Sequence, residues 1–489
     1  MLGWNRIVGV TLKSGRCIDT GIMLNTRRTF LKLSGVVLLG ASVPLKSLAV
    51  DRNAPSFSHR ALNGWITDLA TEPDAEAAWP SMRLDERLIR DYHEMFTTMR
   101  RLGINEMVVW GLYTANNWPV DLKIAVPEER GQMVQRLISD AHKNGIRILS
   151  GLGTYSWGFA EIIKANPKLN GGSPNAMCGS EPESHLWMER VLEFMFDRFG
   201  IDGVSMQSAD QGRCSCVKCA KKGDVEYHTE LLTRTAKLIR SKHPKKVIGM
   251  SNWGVPFGKQ EDKSHLAKLS RSLDYMIDYN DSAQKGGPGY RKELIRGMGC
   301  AFGTNGGPVA EPPQHWARDR WFLPSCQRVH EHLVKLHADG GRASEFFYQI
   351  TANPSSEITL HVAGRTLLNV EVPLEKQMQA VIKELYRPTT PEAGPELAKL
   401  FIEAEEAYFQ FIAPDPCGTI SLEPLVGSKA GPPVYLTERL KPEQRKIYVK
   451  AMTKVRDGFI AVRDKVGDIG RLDLCVRCVE AALRDARVG

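Results

Sequence analysis

The sequence predicts an α/β fold, a (β/α)8 TIM-type barrel followed by a C-terminal helical region. Eight short apolar runs alternate with helical patterns over residues 50–370, as expected of parallel strands joined by crossover helices. Three helix-to-strand joins place a glycine where a helix ends in a left-handed turn, at Gly103, Gly145 and Gly200. Eight such units close a barrel. A doubly wound open sheet is the alternative, but the glycine-rich phosphate turn that usually follows its first strand is missing.

The predicted elements follow the chain in order. The eight predicted strands are 62–68, 106–112, 148–152, 203–207, 247–252, 273–279, 300–304 and 345–349. Ahead of the second strand, apolar residues from Leu88 to Leu102 recur at three- and four-residue spacing, which predicts an amphipathic helix. Similar patterns predict helices over 224–241 and 326–338. The C-terminal region shows helical periodicity only, with predicted helices over 375–385, 395–411 and 442–466.

The net charge of +9 lies mostly at the start of the chain. Residues 1–49 hold seven basic residues and one acidic residue, so the remainder has 58 basic and 55 acidic residues and a net charge of +3. No basic patch remains that would favour nucleic acid as a partner.

The N-terminal segment predicts an export signal. Arg27 and Arg28 precede an apolar run over 33–43, and the small residues Ser47 and Ala49 follow it. This order resembles a twin-arginine signal with a cleavage site, and the run is too short for a permanent membrane anchor. We therefore expect an exported protein, periplasmic or extracellular. Its predicted parts are a leader over 1–49 that is removed, a barrel over 50–370 and a helical region over 371–489.

Residues just past the C-terminal ends of barrel strands meet at one mouth, and here many of them are aromatic. Aromatic rings stack on the apolar faces of sugar rings, and His315 can bind a substrate hydroxyl or carboxylate. The predicted substrate-binding residues are Trp110, Tyr113, Tyr155, Trp157, Asn252, Trp253, Tyr279, His315 and Trp316. For some of the aromatic residues, packing in the core is the alternative.

Carboxylates occur at the same strand ends. They are Asp68, Asp210, Asp278, Asp281, Glu311 and Glu345. Glycoside cleavage needs two acidic groups, or one and a substrate group, because the leaving oxygen is protonated while positive charge develops at the anomeric carbon. Asp210 is the predicted general acid because it directly follows the fourth strand. Its predicted partner is Asp278 or Asp281, with Glu311 a further catalytic candidate, and structural ion pairs are the alternative for each.

Three stretches resemble glycosidase-type (β/α)8 barrels: strand four with Asp210, the C-x-C-x-x-C motif after it, and residues 349–357. The resemblance covers about residues 60–370 and is to relatives of family 20 hexosaminidases and of α-glucuronidases with cysteines after strand four. It implies a glycoside hydrolase. Family 20 closes strand four with an Asp-Glu pair, whereas Gln211 follows Asp210 here, so the acetamido-assisted mechanism is not implied.

Nine cysteines follow the leader, an odd number that does not suit a framework of disulfides alone. Cys214, Cys216 and Cys219 with Cys178 or His228 can make a closed tetrahedral zinc site. A disulfide between two of them after export is the alternative. Either role is structural, so no cofactor is predicted for catalysis and zinc is a possible structural ion.

The leading hypothesis is an exported glycoside hydrolase that acts on an oligosaccharide or glycoconjugate. A carbohydrate-binding barrel without activity is one alternative, because the second acid after strand four is missing. A metal-dependent lyase or hydrolase is another, because the export signal and the thiols allow a metal to be loaded before export. The sequence leaves the sugar, the linkage and the oligomeric state open.

Overall fold

Eight parallel strands form the closed barrel that the sequence predicts. The computed structural model describes residues 54–65, 84–113, 117–207, 212–252, 263–278, 300–304, 310–311, 322–347, 353–412, 420–421, 437 and 439–488. The barrel strands are β1 (His59–Trp65), β2 (Glu106–Trp110), β3 (Arg147–Gly153), β4 (Gly203–Gln207), β5 (Val247–Ser251), β6 (Tyr275–Asp278), β7 (Ala301–Thr304) and β8 (Ala343–Phe347). Each strand pairs with the next, and β8 closes the ring by pairing with β1.

Helices cover the outside of the ring and continue beyond it. They are α1 (Glu86–Arg101), α2 (Glu128–Lys143), α3 (Ala160–Ala165), α4 (Pro182–Phe199), α5 (Asp224–Lys242), α6 (Lys263–Ser270), α7 (Cys326–Ala338), α8 (Pro354–Leu368), α9 (Leu374–Tyr386), α10 (Ala393–Phe409), α11 (Pro442–Ala461) and α12 (Ile469–Val488). The glycine turns predicted at Gly103, Gly145 and Gly200 have φ of 68, 72 and 66°. In the described part of the chain, no helix is both long and apolar enough to cross a membrane.

Several strand bounds differ from the prediction, most of them by one or two residues. β1 begins at His59 rather than residue 62, and β8 begins at Ala343 rather than residue 345. β1 begins with the polar His59, which faces Glu106, so the apolar run does not mark where this strand starts. The predicted helix over 442–466 ends at Ala461 and is followed by a separate 3-10 turn.

Strand residues alternate between two apolar layers. One set packs outward against the helices in the main core, and the other fills the barrel interior. The interior apolar cluster consists of Ala61, Val108, Trp110, Leu149, Val247, Tyr275, Ile277 and Ala343.

The C-terminal helices contact α7 and α8 through hydrogen bonds of buried and half-buried charged side chains. Glu405 of α10 accepts hydrogen bonds from the backbone N–H groups of Gln327 and Arg328, at 3.0 and 2.9 Å, in the first turn of α7. A carboxylate is stabilised at a helix N-terminus by the helix dipole. Arg471 of α12 donates two hydrogen bonds of 3.0 Å to Glu357 of α8.

Candidate active site

The N-terminal end of the barrel interior is closed by an ion-paired carboxylate. Glu106 is fully buried; its Oε1 lies 2.8 Å from His59 Nδ1 and accepts a hydrogen bond from Arg147. The His59 ring packs against Tyr275 with the ring centroids 4.6 Å apart. Burial, with smaller contributions from the charges of Glu345 and Glu106, holds the pKa of Tyr275 well above its usual value. These contacts neutralise and fill this end of the barrel, which is a structural role.

Polar side chains also occur nearer the C-terminal end of the interior, where substrates bind in barrels of this class. Glu345 lies in the middle of β8 opposite Ala61 and is 1% exposed. The amide nitrogen of Asn63, itself fully buried, donates a hydrogen bond to Glu345 Oε1. A hydrogen bond donated to a carboxylate favours its ionised form. Because Ala61 pairs with Glu106 on β2 and with Glu345 on β8, the barrel interior holds a second buried carboxylate on the other side of Ala61.

Glu345 is a functional candidate that the sequence analysis includes among the strand-end carboxylates but not among the predicted catalytic residues. It is predicted to open the eighth strand, whereas it lies in the middle of β8. The available signal is an acidic residue next to Phe346 and Phe347 in a strand that both faces should bury. Burying a charge is unfavourable without compensating contacts, so an acid in this position calls for a specific role.

Trp110 and Trp157 meet near the C-terminal ends of β2 and β3. Their rings are 5.6 Å apart and nearly perpendicular. Gly151 makes room for Trp110, since a Cβ there would lie 2.1 Å from the indole ring. Trp110 is 2% exposed and belongs to the interior cluster, while Trp157 is half-buried at its edge. A small crevice between the ends of β2 and β3 is lined by Trp157, Tyr113 and Trp118 among others. Trp157 is thus better placed than Trp110 to meet a ligand.

Tyr113 has contacts typical of a packing residue, the alternative that the sequence leaves open. It is 2% exposed, and its hydroxyl donates a 2.5 Å hydrogen bond to the Met195 carbonyl of α4. Its ring packs against Trp118 and Phe199. These contacts join the end of β2 to the helix layer.

Tyr155 has a backbone conformation that is rare for residues other than glycine. Its φ is 64°, in the left-handed region, where a non-glycine residue is under strain. The carbonyl of Tyr155 accepts a 2.8 Å hydrogen bond from Met177 N–H, and its hydroxyl lies 2.8 Å from His185 Nδ1. The surrounding loop therefore holds the strained residue in place directly after β3, next to Trp157. Strain of this kind is frequent at functional sites.

The structure brings together the four predicted cysteine ligands. The sulfurs of Cys178, Cys214, Cys216 and Cys219 all lie within 4.8 Å of one another. Cys178 belongs to the loop between β3 and α4, and the other three belong to the loop between β4 and α5. His228, the alternative fourth ligand, is not part of this group. Among the residues described, this is the only set of three or more such side chains close enough to share a metal ion.

Three of the four thiols have shifted pKa values. The backbone N–H of Cys219, which donates to the Cys216 sulfur, is the main cause that lowers the pKa of Cys216 to about 6. Burial raises the pKa values of Cys178 and Cys214. Cys475 of α12 lies outside this group. Its sulfur is 3.2 Å from the Tyr386 hydroxyl, and burial raises the pKa of its thiol to about 12.

Several predicted site residues lie outside the described residues: Asp210, Trp253, Tyr279, Asp281, His315 and Trp316. Asp278 is the last residue of β6, and Glu311 belongs to a two-residue strand, Ala310–Glu311, that pairs with Ile420–Ser421; at both, only the backbone is described. Asn252 directly follows β5, is fully buried, and donates its backbone N–H to the Ile277 carbonyl at 3.2 Å. Asp278 and Asn252 therefore lie at the C-terminal ends of neighbouring strands.

Comparison with known proteins identifies the fold rather than a family. No protein-family model and no curated protein sequence matches the chain. Among solved structures, the chain is similar to a GH138 enzyme targeting pectin rhamnogalacturonan II, with 12% identity, a TM-score of 0.58, and 89% of this chain and 71% of that chain covered. It is also similar to CpGH84B (12% identity, TM-score 0.43, coverage 89% and 69%) and to a mutant of the Thermobaculum terrenum O-GlcNAc hydrolase (13%, 0.43, 88% and 88%). These structural neighbours are glycoside hydrolases. At 12% identity, the similarity to the GH138 enzyme establishes the barrel fold alone, and the chemistry is argued from the site.

Proposed function

We propose that this protein is an exported glycoside hydrolase that cleaves an oligosaccharide or glycoconjugate with a pair of carboxylates. The observation that carries the proposal is Glu345, a buried carboxylate held by the Asn63 amide in the interior of a closed (β/α)8 barrel. The half-buried Trp157, which follows β3, supports stacking of a sugar ring at the strand ends.

The proposed chemistry assigns one carboxylate to each side of the scissile bond. Asp210, directly after β4, donates its proton to the leaving oxygen as the sugar ring gains positive charge. A second carboxylate, in its ionised form, either attacks the anomeric carbon or takes a proton from the attacking water. Asp278, Asp281 and Glu311 are the predicted candidates for this role, and the Asn63 hydrogen bond adds Glu345 to them.

Substitution of Asp210 tests the general acid. Asp210→Asn is expected to lower kcat on an aryl glycoside by about 10²- to 10⁴-fold while sugar binding is retained. The loss should shrink for substrates whose leaving group needs no protonation. Asp202→Asn is the matched control because Asp202 flanks the other end of β4, where its Oδ2 lies 2.8 Å from His142 Nε2 and accepts the Ile148 N–H. Full activity in Asp210→Asn would contradict the assignment.

Two further measurements on the native chain distinguish the proposal from its alternatives. Calorimetric binding of a glycan without any product from the native chain would favour a carbohydrate-binding barrel. Activity that disappears on chelation, while the chain stays folded, would favour a metal-dependent lyase or hydrolase.

Export is tested independently of activity. Replacement of Arg27 and Arg28 by lysine should leave the chain in the cell with its leader uncleaved. Equal amounts of the native and variant chains outside the cytoplasm would contradict export by this route.

A further inference from the structure

We propose that Cys178, Cys214, Cys216 and Cys219 bind one Zn²⁺ ion as four thiolates, and that this ion joins the β3–α4 loop to the β4–α5 loop. The proposal does not depend on glycosidase activity. It adds to the fold a metal site on the side of the barrel that carries the candidate active site.

The spacing of the sulfurs fits a tetrahedral ion. Thiolates about 2.3 Å from a central Zn²⁺ lie about 3.8 Å from one another. The Cys178 and Cys216 sulfurs are 3.6 Å apart, and no pair in the group is separated by more than 4.8 Å. Sulfurs joined in a disulfide are separated by only about 2.05 Å, and a disulfide between two of them would leave the other two thiols unexplained.

The surroundings of the sulfurs supply the contacts that thiolates need. The N–H groups of Cys216 and Cys219 point at the sulfurs of Cys214 and Cys216, at 3.4 and 3.5 Å. The Ser180 hydroxyl lies 3.0 Å from the Cys219 sulfur. Such outer contacts orient metal ligands and reduce the charge on sulfur. Cys214 and Cys219 are 0 and 1% exposed, so the site is shielded from solvent on one side.

Further contacts hold the two loops together around the site. Ser215 donates its backbone N–H, at 2.6 Å, and its hydroxyl, at 3.0 Å, to the Gly171 carbonyl. Gly171 leaves space for Cys214, because a Cβ there would lie 2.0 Å from the Cys214 sulfur. Arg213 donates hydrogen bonds to the carbonyls of Cys219 and Lys222, which joins the start and the end of the β4–α5 loop. The ligands are thus held near one another before an ion binds.

A zinc ion with four protein ligands has no open position for substrate, so its role is structural. Arg213 and Cys214 lie shortly after the segment 208–211, which contains Asp210. The ion therefore fixes the chain at Cys214, shortly after the proposed general acid in the sequence. Zn²⁺ is favoured over harder cations because all four ligands are soft thiolates.

The test measures metal content and thermal stability of the full chain purified with added Zn²⁺. We expect one zinc per chain, and after removal of zinc we expect Co²⁺ to give the absorption bands of a tetrahedral thiolate complex. Cys178→Ser should weaken metal binding by more than about 100-fold, since loss of even an outer contact weakens such sites by about 10- to 100-fold. Cys300→Ser is the matched control: Cys300 is 7% exposed, as is Cys178, but it lies outside the group.

A second variant tests the zinc site even if Cys178→Ser does not fold. Ser180→Ala preserves the four thiols and removes only the hydroxyl beside Cys219, so it should fold and bind Zn²⁺ about 10-fold more weakly. The proposal is overturned by metal-free chain with oxidised thiols, by iron bound in place of zinc, or by equal zinc affinity of Cys178→Ser and Cys300→Ser.

Discussion

The barrel interior buries two carboxylates, one on each side of Ala61, and holds them in different ways. Glu106, the first residue of β2, lies beside the His59 ring and is paired with the Arg147 guanidinium. Glu345, in the middle of β8, accepts a hydrogen bond from the Asn63 amide. Both side chains are almost completely buried, so burial alone does not separate a structural acid from a functional one.

The difference between the two contacts is chemical. The Arg147 guanidinium pairs with the Glu106 carboxylate. An amide donor stabilises an ionised carboxylate without adding a cation. This difference in partners is the reason to expect a structural role for Glu106 and a catalytic role for Glu345.

Substitution of Glu345 is expected to give the largest effect. Glu345→Gln preserves the shape of the side chain and an oxygen that can accept from Asn63, so the free energy of unfolding should change by less than about 1 kcal/mol. If the carboxylate takes part in the reaction, kcat/KM on an aryl glycoside should fall by about 10³-fold. Steady-state kinetics and urea unfolding of the same preparation measure both. If kcat/KM of this variant equals that of the native chain, Glu345 takes no part in the reaction and its role is structural, like that of Glu106.

Glu106→Gln should show the opposite pattern. Removal of the charge leaves Arg147 and His59 next to a neutral amide, and breaking a buried ion pair is strongly destabilising. Because the Arg147 side chain is 40% exposed, we expect a loss of only about 2 kcal/mol in the free energy of unfolding. The remaining folded protein should keep its kcat/KM. An unfolding midpoint equal to that of the native chain would show that the ion pairs do not stabilise this end of the barrel.

The sequence predicts the fold better than the site, for physical reasons. Alternation of apolar runs with helical periodicity is a local signal, and it finds all eight strands. Side-chain direction is harder to predict, because nearby residues at a strand end point to opposite sides: Trp110 faces the interior and Tyr113 faces α4.

The motif of Cys214, Cys216 and Cys219 is visible from its spacing, whereas Cys178 lies 38 residues before Cys216 and joins the group only through the fold. Glu345 looks like one acid in a short strand until its partner Asn63, 282 residues away, is known.

The last prediction concerns a buried histidine in the helical layer, and it separates the acid stability of that layer from that of the barrel interior. His361 of α8 is fully buried; its Nδ1 lies 3.6 Å from Glu384 Oε1 of α9. Burial lowers the pKa of His361 to about 4; Glu384 opposes this shift, while Arg101, Arg365 and Arg471 add to it. Because the unfolded chain takes up this proton near pH 6.5, the stabilising contribution of neutral His361 is complete above about pH 6.5. It is lost as the pH falls towards about 4, by about 1 kcal/mol for each pH unit. Urea unfolding of the native chain and of His361→Gln between about pH 7 and pH 5 measures the contribution of His361 together with its effect on Glu384. A smaller pH dependence in the variant would place the acid sensitivity in the helical layer, whereas equal pH dependence would assign it to ionisable groups elsewhere.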